Sequence, residues 1–200
     1  MYLRALDVLV QEGVDTVSSG SLAERCHVNA SLIRKDLAYF GEFGVRGVGY
    51  YVEDLRRHLK QILGLHRRQK VVIMGAGNLG LALADYPGFS HEGFDIVALF
   101  DVAPGKIGRR SRGGVEVHHL RELPAVVRAE RVDIAVVAVP REAAQQVVAT
   151  VVQAGVRAIL NFAPGAIGVP DGVKIKNVDL SISLETLSFF LAQAAHATTS

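Results

Sequence analysis

Apolar positions recur with two periods along this chain, and the change of period falls near residue 70. Before it the spacing is helical. Leu3, Leu6 and Val10 lie on one stripe that stops at Gly13. The hydroxyls of Ser18-Ser19-Gly20-Ser21 offer N-caps to a second short helix, SLAERC, and Asn29 offers one to a third, ASLIRKDLAYF, which ends at Gly41. A fourth helix, EDLRRHLKQIL, is expected to turn Leu55, Leu59, Ile62 and Leu63 inward. The basic stretch His66-Arg67-Arg68-Gln69-Lys70 then reads as a linker.

Beyond it the apolar residues come in short runs: VVIM (71–74), IVALF (96–100), IAVVAV (134–139), AILNF (158–162) and VKIKNV (173–178). Runs of this length, spaced widely enough for helices between them, predict the buried strands of a parallel, doubly wound sheet. The helical period returns in LETLSFFLAQAA, where Leu184, Leu187 and Leu191 share a stripe while Phe189 and Phe190 point elsewhere. A helix apolar most of the way round is buried on several sides, and a sheet already covered by its own helices has little room for it. The tail is therefore expected to pack into a second copy, by exchange between protomers. The predicted plan is a helical head over 1–65, a linker over 66–70, an α/β domain over 71–180 and a dimerisation helix over 181–200.

Two adjacent patterns mark the head as DNA-binding. On the third helix Ile33, Leu37 and Phe40 are expected to face a core, while Ser31, Arg34, Lys35 and Ala38 form a small, basic outer stripe. Helix, turn and a second helix with such a stripe is the shape of a helix-turn-helix, although an isolated Arg-Lys pair more often just solvates a helix face. The next segment, FGVRGVGYYV, shifts the balance: three glycines and Arg46 between β-formers make a tight hairpin, or wing. Arg46 at its tip would reach the minor groove or a phosphate, and Gly47 and Gly49 would let backbone approach DNA, with Tyr50 in the same candidate surface.

The first apolar run leads straight into Gly75-Ala76-Gly77-Asn78-Leu79-Gly80, a dinucleotide-binding fingerprint. Gly75 makes the turn, Gly77 lets a pyrophosphate approach, Gly80 allows close helix-strand packing, and amides of the helix start receive phosphate. Asp101, about twenty residues on, would accept hydrogen bonds from the adenosine ribose and repel a 2′-phosphate. That favours NAD over NADP, although Arg109 and Arg110 could offer a phosphate partner if their loop folds back. Lys106 and Ile107 are placed at the adenine. Val139 and Pro140, with Asn161, Phe162, Ala163 and Pro164, end later strands at the carboxyl edge and are expected to line the nicotinamide half, Asn161 bonding an amide or ribose hydroxyl. No substrate domain or proton donor is evident, so no catalytic residue is assigned. His118 and His119 read as a solvated pair away from that edge rather than as a metal contact, and no metal site is expected.

Charge changes this picture little. With 22 Lys and Arg against 20 Asp and Glu the net charge is +2, so a nucleic-acid surface has to be local. One cysteine, Cys26, forms no internal disulfide and reads as a small buried residue. MYLRALDVLVQEG lacks a signal peptide's basic start, and no run approaches a bilayer span, which predicts a cytoplasmic protein with no membrane partner.

Together, LIRKDLAYFGEFGVRGVGY, VVIMGAGNLGLALADYPGF, FD at 100–101, VAVPREAAQ, ILNFAP and NVDLS resemble the Rex family of redox-sensing transcriptional repressors, over essentially the whole chain. The resemblance implies a homodimer with winged-helix heads, Rossmann domains that bind NAD(H), and a C-terminal helix swapped between subunits. It implies a repressor of palindromic double-stranded operator DNA that NADH releases and NAD⁺ does not. Matched by position, Arg34, Lys35 and Arg46 are DNA contacts, and Asp179 exchanges partners between Tyr86 and a basic group, Arg4. Leu180 matches a position facing the nicotinamide that is aromatic in some relatives; leucine gives apolar cover without ring stacking. Family members carry further residues before YLRAL. Two other readings stay open: a small NAD- or CoA-binding enzyme subunit with an accessory head, and an interaction module that uses the basic head for a protein partner.

Overall fold

The computed structural model describes residues 1–197, and the chain forms two compact units, the first ending at Arg67 and the second beginning at Arg68. In the first, α1 (Tyr2–Gln11), α2 (Ser19–Cys26), α3 (Ala30–Phe40) and α4 (Val52–Ile62) surround a core of Leu3, Leu6, Leu9, Leu22, Ile33, Leu37, Val52, Leu55 and Leu59. The caps are local. Ser18 Oγ accepts from the Ser21 amide at 3.0 Å, and Asn29 Oδ1 accepts from the Leu32 amide at 2.7 Å. These satisfy amides that a helix start leaves unbonded.

Three short strands, β1 (Thr16–Val17), β2 (Gly44–Val45) and β3 (Gly49–Tyr51), pair antiparallel in the order β1-β3-β2. The hairpin β2–β3 is the wing. Two-residue β1 has no periodicity of its own and exists through its pairing with Tyr50 and Tyr51. Gly49 (φ +103°) is required there, because a Cβ would stand 2.4 Å from the Val17 carbonyl oxygen. Three expected core residues lie outside: Phe40 is 53% exposed and packs edge-on against Tyr39, and Ile62 and Leu63 are exposed. All three sit at helix ends, where the stripe continues past the core it serves.

The second unit is a six-stranded, all-parallel sheet in the order β6-β5-β4-β7-β8-β9, formed by β4 (Gln69–Met74), β5 (Phe94–Asp101), β6 (Val117–His119), β7 (Ile134–Val137), β8 (Ala158–Asn161) and β9 (Lys174–Asn177). The chain leaves β4 in opposite directions through β5 and β7, so the switch point lies between β4 and β7. Val72 and Met74 pack into one face and Val71 and Ile73 into the other, as strand alternation requires. The helices α5 (Asn78–Ala84), α6 (Pro87–His91), α7 (Leu123–Glu130) and α8 (Arg141–Gln153) complete the unit, with α9 (Leu180–Ala197) after the last strand.

Two expectations change. Gln69 and Lys70, read as linker, open β4. Arg68 and Lys70 both reach Asp95 on β5, Arg68 Nε at 2.8 Å, which ties this basic stretch to the sheet. Strand β6 was not foreseen, because only Val117 of its three residues is apolar and fully buried. Along α9, Leu184, Leu187, Phe189, Phe190 and Leu191 are each 60% to 67% exposed. No helix among the described residues is long and apolar enough to cross a membrane.

Candidate functional sites

The turn after β4 is built by what its glycines exclude. The Gly75 amide donates to the Phe100 carbonyl at 2.8 Å, and Gly75 adopts φ +101° with the Ala138 carbonyl oxygen only 2.4 Å from where a Cβ would stand. A Cβ on Gly80 would stand 1.8 Å from the Gly75 carbonyl oxygen, so α5 packs directly on the turn. Gly77, the residue capping α5, is the opposite case. Its φ of −86° suits any residue, and nothing lies within 4 Å of a Cβ built there. A tight turn, a close helix and one open glycine form a cradle that fits a pyrophosphate, with first-turn amides available to it.

Asp101 closes the neighbouring side. Its Oδ2 accepts from the Ala76 amide at 2.9 Å and from Lys106 Nζ at 2.8 Å, and its Oδ1 accepts from the Val102 and Ala103 amides, each at 2.9 Å. Burial acts to raise its pKa, but Lys106 and the Ala103 and Ala76 amides outweigh it and hold the carboxylate below its ordinary range. Beside it, His119 pairs in register with Asp101, so the two histidines stand at the carboxyl end of β6, not away from that edge. They are not a solvated pair either: His119 caps the next turn by accepting from the Arg121 amide, and the His118 ring lies against Phe100. Among the described residues no group of three or more His, Cys, Asp or Glu could hold a metal ion.

At the ends of β7 and β8, Val139 and Phe162 are half-buried, Ala163 is buried, and Pro140 and Pro164 are exposed. Asn161 departs from its expected role. It is completely buried, its Nδ2 donates to the Ala163 carbonyl (2.9 Å) and to Asn177 Oδ1 (3.0 Å), and its Oδ1 accepts from the Ala163 amide (3.0 Å). Both amide protons are spent on protein, so Asn161 shapes the 161–164 turn rather than offering itself to a ligand. Arg141, directly after Pro140, carries no expectation from sequence; its guanidinium lies 3.3 Å from where a Cβ on Gly165 would stand. Ile107 is half-buried, and Leu79, Leu180 and Asp179 are exposed; Asp179 Oδ1 accepts from the Ser181 amide at the start of α9. Tyr86, 57% exposed, packs edge-on against Phe89 and borders a cavity of about 240 Å³ with Phe94, Ile96 and Val115.

In the first unit α3 presents Ser31, Arg34 and Lys35 outward, and Arg34 Nη1 donates to Ser19 Oγ on α2 at 2.9 Å. Arg46 and Gly47 form the exposed wing turn, closed by the Val48 amide on the Val45 carbonyl, with Gly47 at φ +82° and open space around it. Arg4 is exposed on α1. Tyr50 is corrected: it is 7% exposed, belongs to the core, and its ring lies 3.1 Å from where a Cβ on Gly44 would stand, so it props the wing from behind. Alternation along β3 sends Tyr50 inward and leaves Tyr51 outside. Tyr39, 84% exposed on α3, carries no expectation from sequence.

Comparison with known proteins covers both units. A family model described as "CoA binding domain" matches residues 66–165, and one described as "Putative DNA-binding protein N-terminus" matches residues 1–38. The redox-sensing transcriptional repressor Rex of Pelotomaculum thermopropionicum is 49% identical over 96% of this chain and 90% of its own, and that of Desulforamulus reducens is 50% identical over 96% and 91%. Among solved structures, RSP, a Rex-family repressor, in complex with β-NAD⁺ and operator DNA matches with a TM-score of 0.91 at 39% identity, over 99% of this chain and 91% of that one. RSP in complex with β-NADH matches with a TM-score of 0.84 at 38% identity, over 99% and 92%.

Proposed function

This chain belongs to the Rex family of redox-sensing transcriptional repressors, and from that membership we propose that it represses by binding palindromic operator DNA as a homodimer and that NADH, not NAD⁺, releases it. The observation that carries the reading is the union, in one chain, of a wing-bearing head with a basic outer helix face and an open dinucleotide cradle. Ser31, Arg34, Lys35, Arg46 and Gly47 are the DNA surface. Arg34 and Lys35 on α3 suit base edges and phosphates of the major groove, and the open turn at Gly47 suits close approach by backbone.

Gly75 to Gly80 hold the pyrophosphate, Asp101 the adenosine ribose, Lys106 and Ile107 flank the adenine, and Val139, Pro140, Phe162, Ala163, Pro164 and Leu180 line the nicotinamide half. The cofactor supplies a ring whose charge differs between its oxidised and reduced forms, and no catalytic residue is assigned. Leu180 and Phe162 give apolar cover, which penalises the cationic oxidised ring by desolvation. Only a difference in affinity between the two protein states shifts their balance, so this cover has to differ between the DNA-bound and released forms.

The exposed apolar face of α9 suits burial in a second copy, and a swap through α9 joins two α/β units. Asp179, at the start of α9, then exchanges between Tyr86 and Arg4. We place the protein in the cytoplasm, with operator DNA. The test is selection from a duplex library, titrated separately with NAD⁺ and NADH at fixed salt. A selected palindrome released by NADH alone supports the reading; selection of no DNA in either condition overturns it.

A further inference from the structure

We propose that Lys106, rather than Asp101 alone, sets how strongly this chain rejects a 2′-phosphorylated dinucleotide. The inference rests on the cofactor reading above and deepens it. A bare acidic residue at the end of the second strand of such a fold repels a 2′-phosphate. Asp101 is not bare. Its side chain is only 10% exposed, its two oxygens accept from three backbone amides, and Lys106 Nζ stands 2.8 Å from Oδ2. The pair carries no net charge, and its outward-facing member is the cation: the Lys106 side chain is 42% exposed.

An ammonium has three N–H donors, so Lys106 keeps two after pairing with Asp101. A ribose diol at this point competes with Lys106 for the Asp101 carboxylate. A 2′-phosphate instead meets the ammonium, whose attraction offsets the repulsion from the carboxylate behind it. Arg110, one of two arginines of this loop able to partner a phosphate, is committed elsewhere: its guanidinium donates to Glu116 Oε2 at 2.6 Å and to the Gly114 carbonyl at 3.2 Å. Arg109 is exposed on the same loop and is the internal rival.

The test compares the ratio of NADPH to NADH dissociation constants, by calorimetric titration, in the full-length wild type, Lys106→Met, Lys106→Arg and Arg109→Gln. Methionine keeps the length of the stem and removes the charge. The ratio should rise about tenfold or more in Lys106→Met, and stay within about threefold of wild type in Lys106→Arg and Arg109→Gln. An unchanged ratio in Lys106→Met overturns the proposal, as does a shift produced by Arg109→Gln in its place. Wild type that binds NADH while Lys106→Met leaves the ratio unmoved overturns this inference alone. Wild type that binds neither dinucleotide overturns the cofactor reading and the inference with it.

Discussion

Gly77→Ala separates cofactor binding from folding at a single atom. Gly77 has φ −86° and ψ −173°, both open to alanine, and no heavy atom lies within 4 Å of the added methyl. Two small effects on stability oppose each other. Alanine is a poorer N-cap than glycine by a few tenths of a kcal/mol to about 1 kcal/mol, while reduced freedom of the unfolded chain returns about 0.4–1 kcal/mol. The net change should be under about 1 kcal/mol, a shift of a few degrees at most in the melting temperature. The same methyl fills the approach that a pyrophosphate requires. Pushing the phosphates off the first-turn amides forfeits one or two charge-assisted hydrogen bonds at about 1.5–3 kcal/mol each, so NADH should bind at least about tenfold more weakly. Melting curves without ligand and calorimetric titration with NADH measure the two quantities on one preparation. A melting temperature close to wild type together with an NADH affinity within about threefold would refute the cradle. Gly80→Ala is the mirror image: its methyl would stand 1.8 Å from the Gly75 carbonyl oxygen, and with backbone on both sides the cost falls on stability, about 3 kcal/mol or more.

Lys35→Ala should lower operator affinity at every sequence alike and reduce the slope of log affinity against log salt by about 1.8, the signature of one lost phosphate contact in each protomer of the dimer; an unchanged slope would remove Lys35 from the DNA surface. Asn161→Leu strands the buried Ala163 amide and carbonyl and should cost about 2–6 kcal/mol in urea unfolding, because each buried group left unpaired costs about 1–3 kcal/mol; a loss under about 0.5 kcal/mol would show that the 161–164 turn does not depend on it. Tyr2 donates its hydroxyl to Asp36 at 2.7 Å, and burial, then the bond to Asp36 and its charge, push the phenol up to about 12 from its ordinary 10.0. A raised folded-state pKa gives stability that is complete below the unfolded value and lost as pH climbs through the folded one. The head should therefore lose stability between pH 10 and about 12, and Tyr2→Phe should flatten that part of the profile while leaving the acid limb unchanged.

Most of the secondary structure was legible because its signals are local. Ser18 and Asn29 cap α2 and α3 where their hydroxyl and amide chemistry indicated, and Gly41 follows the last residue of α3. All five runs of the second unit became strands: four are mostly apolar because their strands are covered on both faces, while β9, with Lys174, Lys176 and Asn177 exposed and Ile175 turned in, shows only the alternation of an edge strand. The two missed strands show neither pattern. Thr16–Val17 is too short to show a period, and Val117-His118-His119 lies at the sheet edge, where one buried valine and pairing with β5 are enough. Phe40, Ile62 and Leu63 were assigned inward because a helical wheel has no ends, whereas the core of the head does.

The candidate sites divide along a different line. Gly75 and Gly80 could be ranked from sequence because each role is a property of backbone, and the contacts a Cβ would make at each agree with those roles, while Gly77 stands in open space. Tyr50, Asn161 and Asp101 could not, because a polar side chain's task is decided by which partner reaches it first. Tyr50 alternates with an exposed Tyr51, and only the pairing of β3 with β1 and β2 decides which of the two faces the core. Asn161 sits at a strand end where a ligand contact is plausible, yet Asn177, its register partner on β9, takes one of its protons and Ala163 the other. Asp101 stands where a ribose acceptor belongs, but Lys106, five residues on, returns through the 102–106 turn to pair with it. Sequence spacing identifies the position of an acidic residue, not the charge that a ligand meets there. That charge is a sum over folded neighbours, and at this site the sum is near zero.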